Sequence, residues 1–305
     1  MSRSENLQGV IAALLLPRDE GGFPVWEAFD ANASFVIQSG LAGVCVNGAT
    51  GEYASATRYE RREITARARR AVGSSGIVIS GIGSARWTES QSLAEEAVNA
   101  GADALLIPVP HFFGYEQHDL EAFFSRIAAE LQVPAVLYNL PAFSGPIETP
   151  VVLSVLRKVA AIAGIKDSSG ELATLEALSN DRALNAVRIM GNDGSLSEAL
   201  DRKLCDCVIS GVAGVLPELI QALWDGNQAG DCQRKHRVAV SLSELLSHLD
   251  ILPIPWGLKV IAEMRFDIPA QFSLPLSPQR QHQIEGFRSW FGDWWPQAEA
   301  NLGRI

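Results

Sequence analysis

Short apolar runs alternate with amphipathic stretches along most of this chain. Gly9-Val10-Ile11-Ala12-Ala13-Leu14-Leu15-Leu16 is apolar without a break and stops at Pro17, the pattern of a strand buried on both faces. After the turn at Asp19-Glu20-Gly21-Gly22, Val25, Phe29, Val36 and Ile37 recur at helical spacing over residues 24–38. The alternation then repeats. Strand-like runs centre near residues 10, 44, 79, 105, 136, 162, 188 and 208, and helical patterns fill 57–72, 88–100, 116–131, 149–158, 171–179 and 194–202. Eight apolar strands, each followed by a helix, predict a parallel (β/α)8 TIM barrel, with a doubly wound open sheet as the alternative. From about residue 216 the pattern is only helical. The expected organisation is a barrel over residues 1–225, carrying the active site, and a C-terminal helical extension over 226–305.

Composition narrows the class of protein without changing that picture. The chain has 305 residues, 47% of them hydrophobic, enough for a large packed core. With 25 basic and 35 acidic residues the net charge is −10, which argues against a nucleic-acid surface or a basic membrane-binding face. Residues 1–6 lack the apolar core of a signal peptide, and no uninterrupted apolar stretch has bilayer-spanning length. A cytoplasmic protein is expected. Four cysteines, Cys45, Cys205, Cys207 and Cys232, make neither a disulfide framework nor a paired-ligand zinc site, so buried reduced thiols are expected and no metal. The arginine-rich stretches at Arg58–Glu63 and Arg67–Arg70 carry Glu60 and Glu63 at helix-pair spacing and read as a solvated helix face. Phe287, Phe291, Trp294 and Trp295 fall on one helix face, as core packing or a subunit contact would require.

The chemistry gathers where strands end, the face on which parallel barrels build their sites. Val159-Ala160-Ala161-Ile162-Ala163 reads as a buried strand that runs into Gly164-Ile165-Lys166-Asp167-Ser168-Ser169-Gly170. A lysine at that end is desolvated, which disfavours its charged form, and a neutral amine attacks a carbonyl to form a Schiff base. The bland alternative is a lysine that reaches solvent from the strand end. Strand two runs into Gly48-Ala49-Thr50-Gly51-Glu52, whose bare amides suit a carboxylate, with the Thr50 hydroxyl beside them. Strand four ends near Pro110-His111-Phe112-Phe113, strand five at Tyr138-Asn139-Leu140-Pro141, strand seven at Gly191-Asn192-Asp193. An amine, a phenol and an amide-rich pocket on one rim suit imine chemistry on a 2-oxo acid, with Tyr138 as proton carrier.

In that order, Gly48-Ala49-Thr50-Gly51-Glu52, Tyr138-Asn139-Leu140-Pro141 and Gly164-Ile165-Lys166-Asp167 resemble the dihydrodipicolinate synthase / N-acetylneuraminate lyase family of class I, pyruvate-handling aldolases. The resemblance runs from Gly9 through Pro278, and Pro253-Ile254-Pro255 resembles the family's C-terminal segment. It implies that Lys166 forms an imine with pyruvate or a 2-keto-3-deoxy acid, that Tyr138 shuttles a proton and that Thr50 assists. It implies further that Gly48, Ala49, Gly51, Phe112, Phe143, Gly191 and Ile209 contact substrate. A homotetramer, a dimer of dimers, and no cofactor are the corresponding expectations.

Three positions depart from the synthase pattern. Ala49 stands for the first of two threonines, Phe112 for a relay tyrosine donated across a subunit interface, and Phe143 for an arginine that binds the aldehyde's carboxylate. The turn at Ala142-Phe143-Ser144-Gly145 looks more like the lyase branch. Lys166-Asp167-Ser168-Ser169-Gly170 resembles members acting on 2-keto-3-deoxy sugar acids, with His111, Ser168, Asn192 and Asp193 available for hydroxyls. The three phenylalanines Phe112, Phe113 and Phe143 equally fit an aromatic aldehyde. An aldolase or lyase leads; a 4-hydroxy-tetrahydrodipicolinate synthase, a dehydratase using the same imine and a non-catalytic keto-acid sensor are the alternatives.

Overall fold

A computed structural model describes residues 7–302. Its eight strands are β1 Gly9–Ala13, β2 Gly43–Val46, β3 Ile77–Gly81, β4 Ala104–Pro108, β5 Ala135–Asn139, β6 Ile162–Asp167, β7 Val187–Met190 and β8 Cys207–Ser210. They pair in sequence order, all parallel, and β8 closes on β1 through Cys207 opposite Gly9 and Ile209 opposite Ile11. The closed barrel is the expected fold; the open sheet is not formed. Eleven helices surround it among the described residues: α1 Trp26–Gln38, α2 Arg58–Val72, α3 Trp87–Asn99, α4 Gln117–Ala128, α5 Thr149–Lys158, α6 Ala173–Asn180, α7 Leu196–Asp201, α8 Pro217–Gln228, α9 Cys232–Leu249, α10 Trp256–Phe266 and α11 Pro278–Leu302. None is long and apolar enough to cross a membrane. The domain boundary expected at 225/226 lies inside α8.

The period-2 alternation of strands splits the core into two. Val10, Ala12, Val44, Val78, Leu105, Leu137 and Val208 face outward and pack under the helices. Ile11, Cys45, Ile79, Leu106, Val136, Tyr138, Ile189 and Ile209 face inward and fill the barrel. Helix starts follow their local chemistry. Thr57 caps α2, accepting from the Glu60 amide at 3.2 Å while Glu60 accepts from the Thr57 amide at 2.6 Å, a reciprocal capping box.

Several expectations need correction. The strand expected over Val159–Ala163 begins only at Ile162, because Val159 ends α5, and it continues to Asp167. Lys166 therefore lies within the ladder rather than beyond it. Leu14–Leu16 are buried but outside β1, whose pairing ends at Ala13. The arginine-rich face of α2 is not uniformly solvated: Arg61 is buried and donates to the carbonyls of Gly81 at 2.9 Å and Gly83 at 2.8 Å, tying α2 to the end of β3. All four cysteines are free, yet only Cys45 and Cys207 are buried, and Cys232 is exposed at the start of α9. Core packing accounts for the aromatic helix face. Phe287, Phe291 and Trp294 of α11 are buried, and the Trp294 indole donates to Glu244 of α9 at 3.0 Å.

Candidate active site

One backbone register sets the site. Tyr138 of β5 and Lys166 of β6 are direct partners across adjacent parallel strands, and Asn139 and Asp167 are the next pair. In a parallel ladder, partners point to the same side, so both long side chains enter the barrel at its C-terminal end. The Lys166 nitrogen stands 4.3 Å from the centre of the Tyr138 ring. Lys166 is only 5% exposed and Tyr138 3%, so the lysine does not reach out to solvent. Two glycines make the room. A Cβ at Gly164 would stand 2.0 Å from the Val187 carbonyl oxygen, so β6 and β7 approach only because no side chain is there. A Cβ at Gly191 would stand 2.8 Å from Lys166 Cε and 2.1 Å from Ser168 Oγ. The outward partners brace the turn: Asn139 donates to Asp167 at 3.2 Å, which also accepts from the Ser169 amide at 2.9 Å.

A cavity of about 590 Å³ opens above the pair. Ala49, Thr50, Tyr138, Phe143, Lys166, Gly191 and Ile209 all line it. The other sequence-selected residues do not. Gly48 and Gly51 are buried in the turn behind Thr50, off the cavity wall, and Phe112 is 87% exposed and points elsewhere. Phe112 sits at φ +84° and packs edge-on against Phe113, ring centres 4.9 Å apart. The loop holding Thr50 is anchored by an ion pair: half-buried Glu52, in the left-handed region at φ 49°, meets buried Lys259 of α10 at 2.5 Å.

Three features of the site escaped or outran the motif reading. Asp193 projects an Oδ1 atom that is buried without a partner, and desolvation pushes its carboxyl up to about 6. The Ser210 hydroxyl, the Val212 amide and the nearby Lys166 charge oppose that rise. Tyr53, next to the glycine-rich loop, is the second. Burial raises its phenol above the usual range; the Arg61 charge opposes this and Tyr138 adds to it, placing the two phenols within electrostatic reach. Its ring meets His111 edge-on at 6.0 Å, and the His111 Nδ1 is itself buried without a partner. An aromatic residue following Glu52 was the available signal. The third is the outer wall, built by Leu246, Leu249, Leu252 and Ile254 from the end of α9 and the loop to α10. Those residues lie some 80 or more positions after Lys166, where no motif points to them.

A buried amine beside a phenol, in a cavity that Thr50 also lines, is equipped for imine formation and proton transfer. A model of the dihydrodipicolinate synthetase family matches residues 6–289. A 4-hydroxy-tetrahydrodipicolinate synthase of Brucella abortus is 30% identical over 256 residues, covering 83% of this chain and 86% of that protein. An uncharacterized DapA-like lyase of Halobacterium salinarum is 28% identical over 253 residues, covering 79% and 83%. Among solved structures, dihydrodipicolinate synthase from Aquifex aeolicus superposes with a TM-score of 0.87 at 24% identity, covering 94% of this chain and 98% of that one. A catalytic-lysine mutant of Ruminococcus gnavus sialic acid aldolase gives 0.86 at 20% identity, covering 97% and 99%. The solved structures share the fold, and the family match identifies the lineage: this chain belongs to the dihydrodipicolinate synthetase family and is a lyase of the class I, Schiff-base aldolase type.

Proposed function

We propose that the enzyme forms an imine between Lys166 and the carbonyl of pyruvate, or of the pyruvate half of a longer 2-keto-3-deoxy acid, and makes or breaks the neighbouring carbon–carbon bond. The amine adds to the carbonyl, a proton is taken up and water leaves, giving the iminium. The iminium then withdraws electrons, so the bond between the third and fourth carbons breaks to leave an enamine and an aldehyde. Tyr138 takes the proton of the fourth-carbon hydroxyl in cleavage and returns it in condensation. Thr50 and the amides of its loop hold the carboxylate of the pyruvate half. The observation that carries the reading is the Lys166 nitrogen, buried in the barrel mouth 4.3 Å from the Tyr138 ring centre. A keto-acid sensor has no use for that pairing.

In this reading residues 1–225 carry the reacting groups and 226–305 close the cavity. We place the enzyme in the cytoplasm as a homotetramer, a dimer of dimers; the exposed Phe112–Phe113 pair is suited to burial against a second copy. Borohydride reduction in the presence of pyruvate, followed by mass spectrometry of the digested protein, tests the mechanism. A pyruvate-derived adduct on Lys166 is expected. A folded protein without it, beside a labelled control aldolase, overturns the reading. Light scattering tests the tetramer.

A further inference from the structure

We infer that the second half of the substrate, the aldehyde released by cleavage or captured by the enamine, is uncharged and carries neither carboxylate nor phosphate. The inference rests on the Lys166–pyruvate reading and specifies the part of the molecule that the imine does not hold.

Among the described residues lining the cavity, Lys166 is the only cationic side chain, and its nitrogen is consumed by the imine. The remaining charged residues there are both acids. Asp193 lies deep in the cavity near Lys166, and Asp250 stands exposed at the lip, at the end of α9. Two buried cations of neighbouring elements are committed elsewhere: Arg61 to the Gly81 and Gly83 carbonyls, Lys259 to Glu52 and the Gln271 carbonyl. An anionic aldehyde therefore meets like charge and no counter-ion.

The cavity instead offers partners for an uncharged group. Phe143 and Leu140 line it from the β5 side, and Leu246, Leu249, Leu252 and Ile254 from the C-terminal side, so two apolar surfaces enclose its outer part. Asn192 and Ser243 also line the cavity and bring an amide and a hydroxyl to hydroxyl groups of the same ligand. A carbon chain bearing hydroxyls, or an aromatic ring, satisfies this lining; a second anion does not. The relatives named as synthases do not settle the point, because substrate choice resides in the side chains of the cavity rather than in the barrel.

Initial rates of condensation with pyruvate discriminate directly, using glyceraldehyde and benzaldehyde as uncharged probes and succinic semialdehyde and glyceraldehyde 3-phosphate as anionic ones. Product is read as the new 2-oxo acid by mass spectrometry. Wild-type enzyme is expected to turn over at least one uncharged aldehyde, with kcat/KM for both anionic ones lower by about 100-fold or more. Phe143, 53% exposed at the rim, accepts a cation without disturbing the core, so Phe143→Arg is expected to narrow that gap about tenfold by raising the anionic rates. An anionic aldehyde that matches or outruns the uncharged ones in the wild type overturns the inference. So does turnover of neither uncharged aldehyde while pyruvate is still trapped on Lys166. Trapping needs no aldehyde, so its own failure is a separate result that sinks the imine reading instead.

Discussion

Tyr138 and Lys166 are register partners on adjacent strands, and the lysine nitrogen sits 4.3 Å from the centre of the tyrosine ring. The barrel's hydrogen-bond ladder, not a flexible loop, holds the amine and the phenol together. Preorganisation of this kind removes the entropy of bringing the two groups into one place at the moment of reaction.

Replacing Lys166 by Ala is expected to abolish the borohydride-trapped adduct and bring carbon–carbon lyase activity to background. The side chain is not part of the apolar core, so the circular dichroism spectrum should match that of the wild type. Retained turnover in the variant would place the nucleophile elsewhere.

Tyr138→Phe keeps the ring that packs against Lys166 and removes only the hydroxyl. The trapped pyruvate adduct should survive, while kcat for the carbon–carbon step drops by about 10²–10⁴, the range for losing a positioned acid–base group. Measuring trapping and turnover on one preparation separates the two roles. A kcat within twofold of the wild type would remove Tyr138 from proton transfer.

The Asp193 carboxyl, raised by burial from its ordinary value of 3.8 to about 6, binds its proton more tightly in the folded state than in the unfolded state. Between those two values the native protein holds more protons, so its stability falls as pH rises through the window, by up to about 3 kcal/mol. Asp193→Asn removes the burden of a buried anion. The variant should melt higher than the wild type at pH 7.5, with the advantage fading towards pH 4. Thermal melts at both pH values provide the check; an equal difference at the two would refute the assignment.

Glu52 and Lys259 join the Thr50 loop to α10 across the barrel mouth. Lys259→Met leaves the half-buried Glu52 carboxylate without its cation and should cost about 1–3 kcal/mol. The freed loop should also raise KM for pyruvate. Adding Glu52→Gln to the same chain is expected to recover part of the stability, read by urea unfolding. A single variant as stable as the wild type would show the pair to be dispensable.

Gly164→Ala places a methyl group 2.0 Å from the Val187 carbonyl oxygen, which belongs to rigid backbone. Relieving that contact has to push β6 from β7 and shift Lys166. A loss of about 3 kcal/mol or more is expected, seen as low soluble yield or a much lower Tm. Normal yield with full activity would contradict this account of the strand seam.

By itself the sequence determined the barrel and the reacting pair. Eight two-sided apolar strands with intervening amphipathic helices leave few alternatives, because each strand must be covered on both faces. Lys166 and Tyr138 were legible because a charged and a phenolic side chain interrupt those apolar runs at one end, and Thr50 because it follows a run of small residues. Tertiary structure decided what spacing along the chain does not encode. Phe112 stands exposed, outside this chain's own cavity, while Asp193 acquires its unpartnered, buried oxygen only when β7 and β8 come together. Arg61 turns from a surface charge into a bond between α2 and β3, and the end of α9 folds back over the barrel to wall a cavity whose floor was made far earlier in the chain. Strand periodicity is a local property and can be read residue by residue, whereas the charge and shape of a pocket are sums over side chains that meet only after the chain has closed on itself.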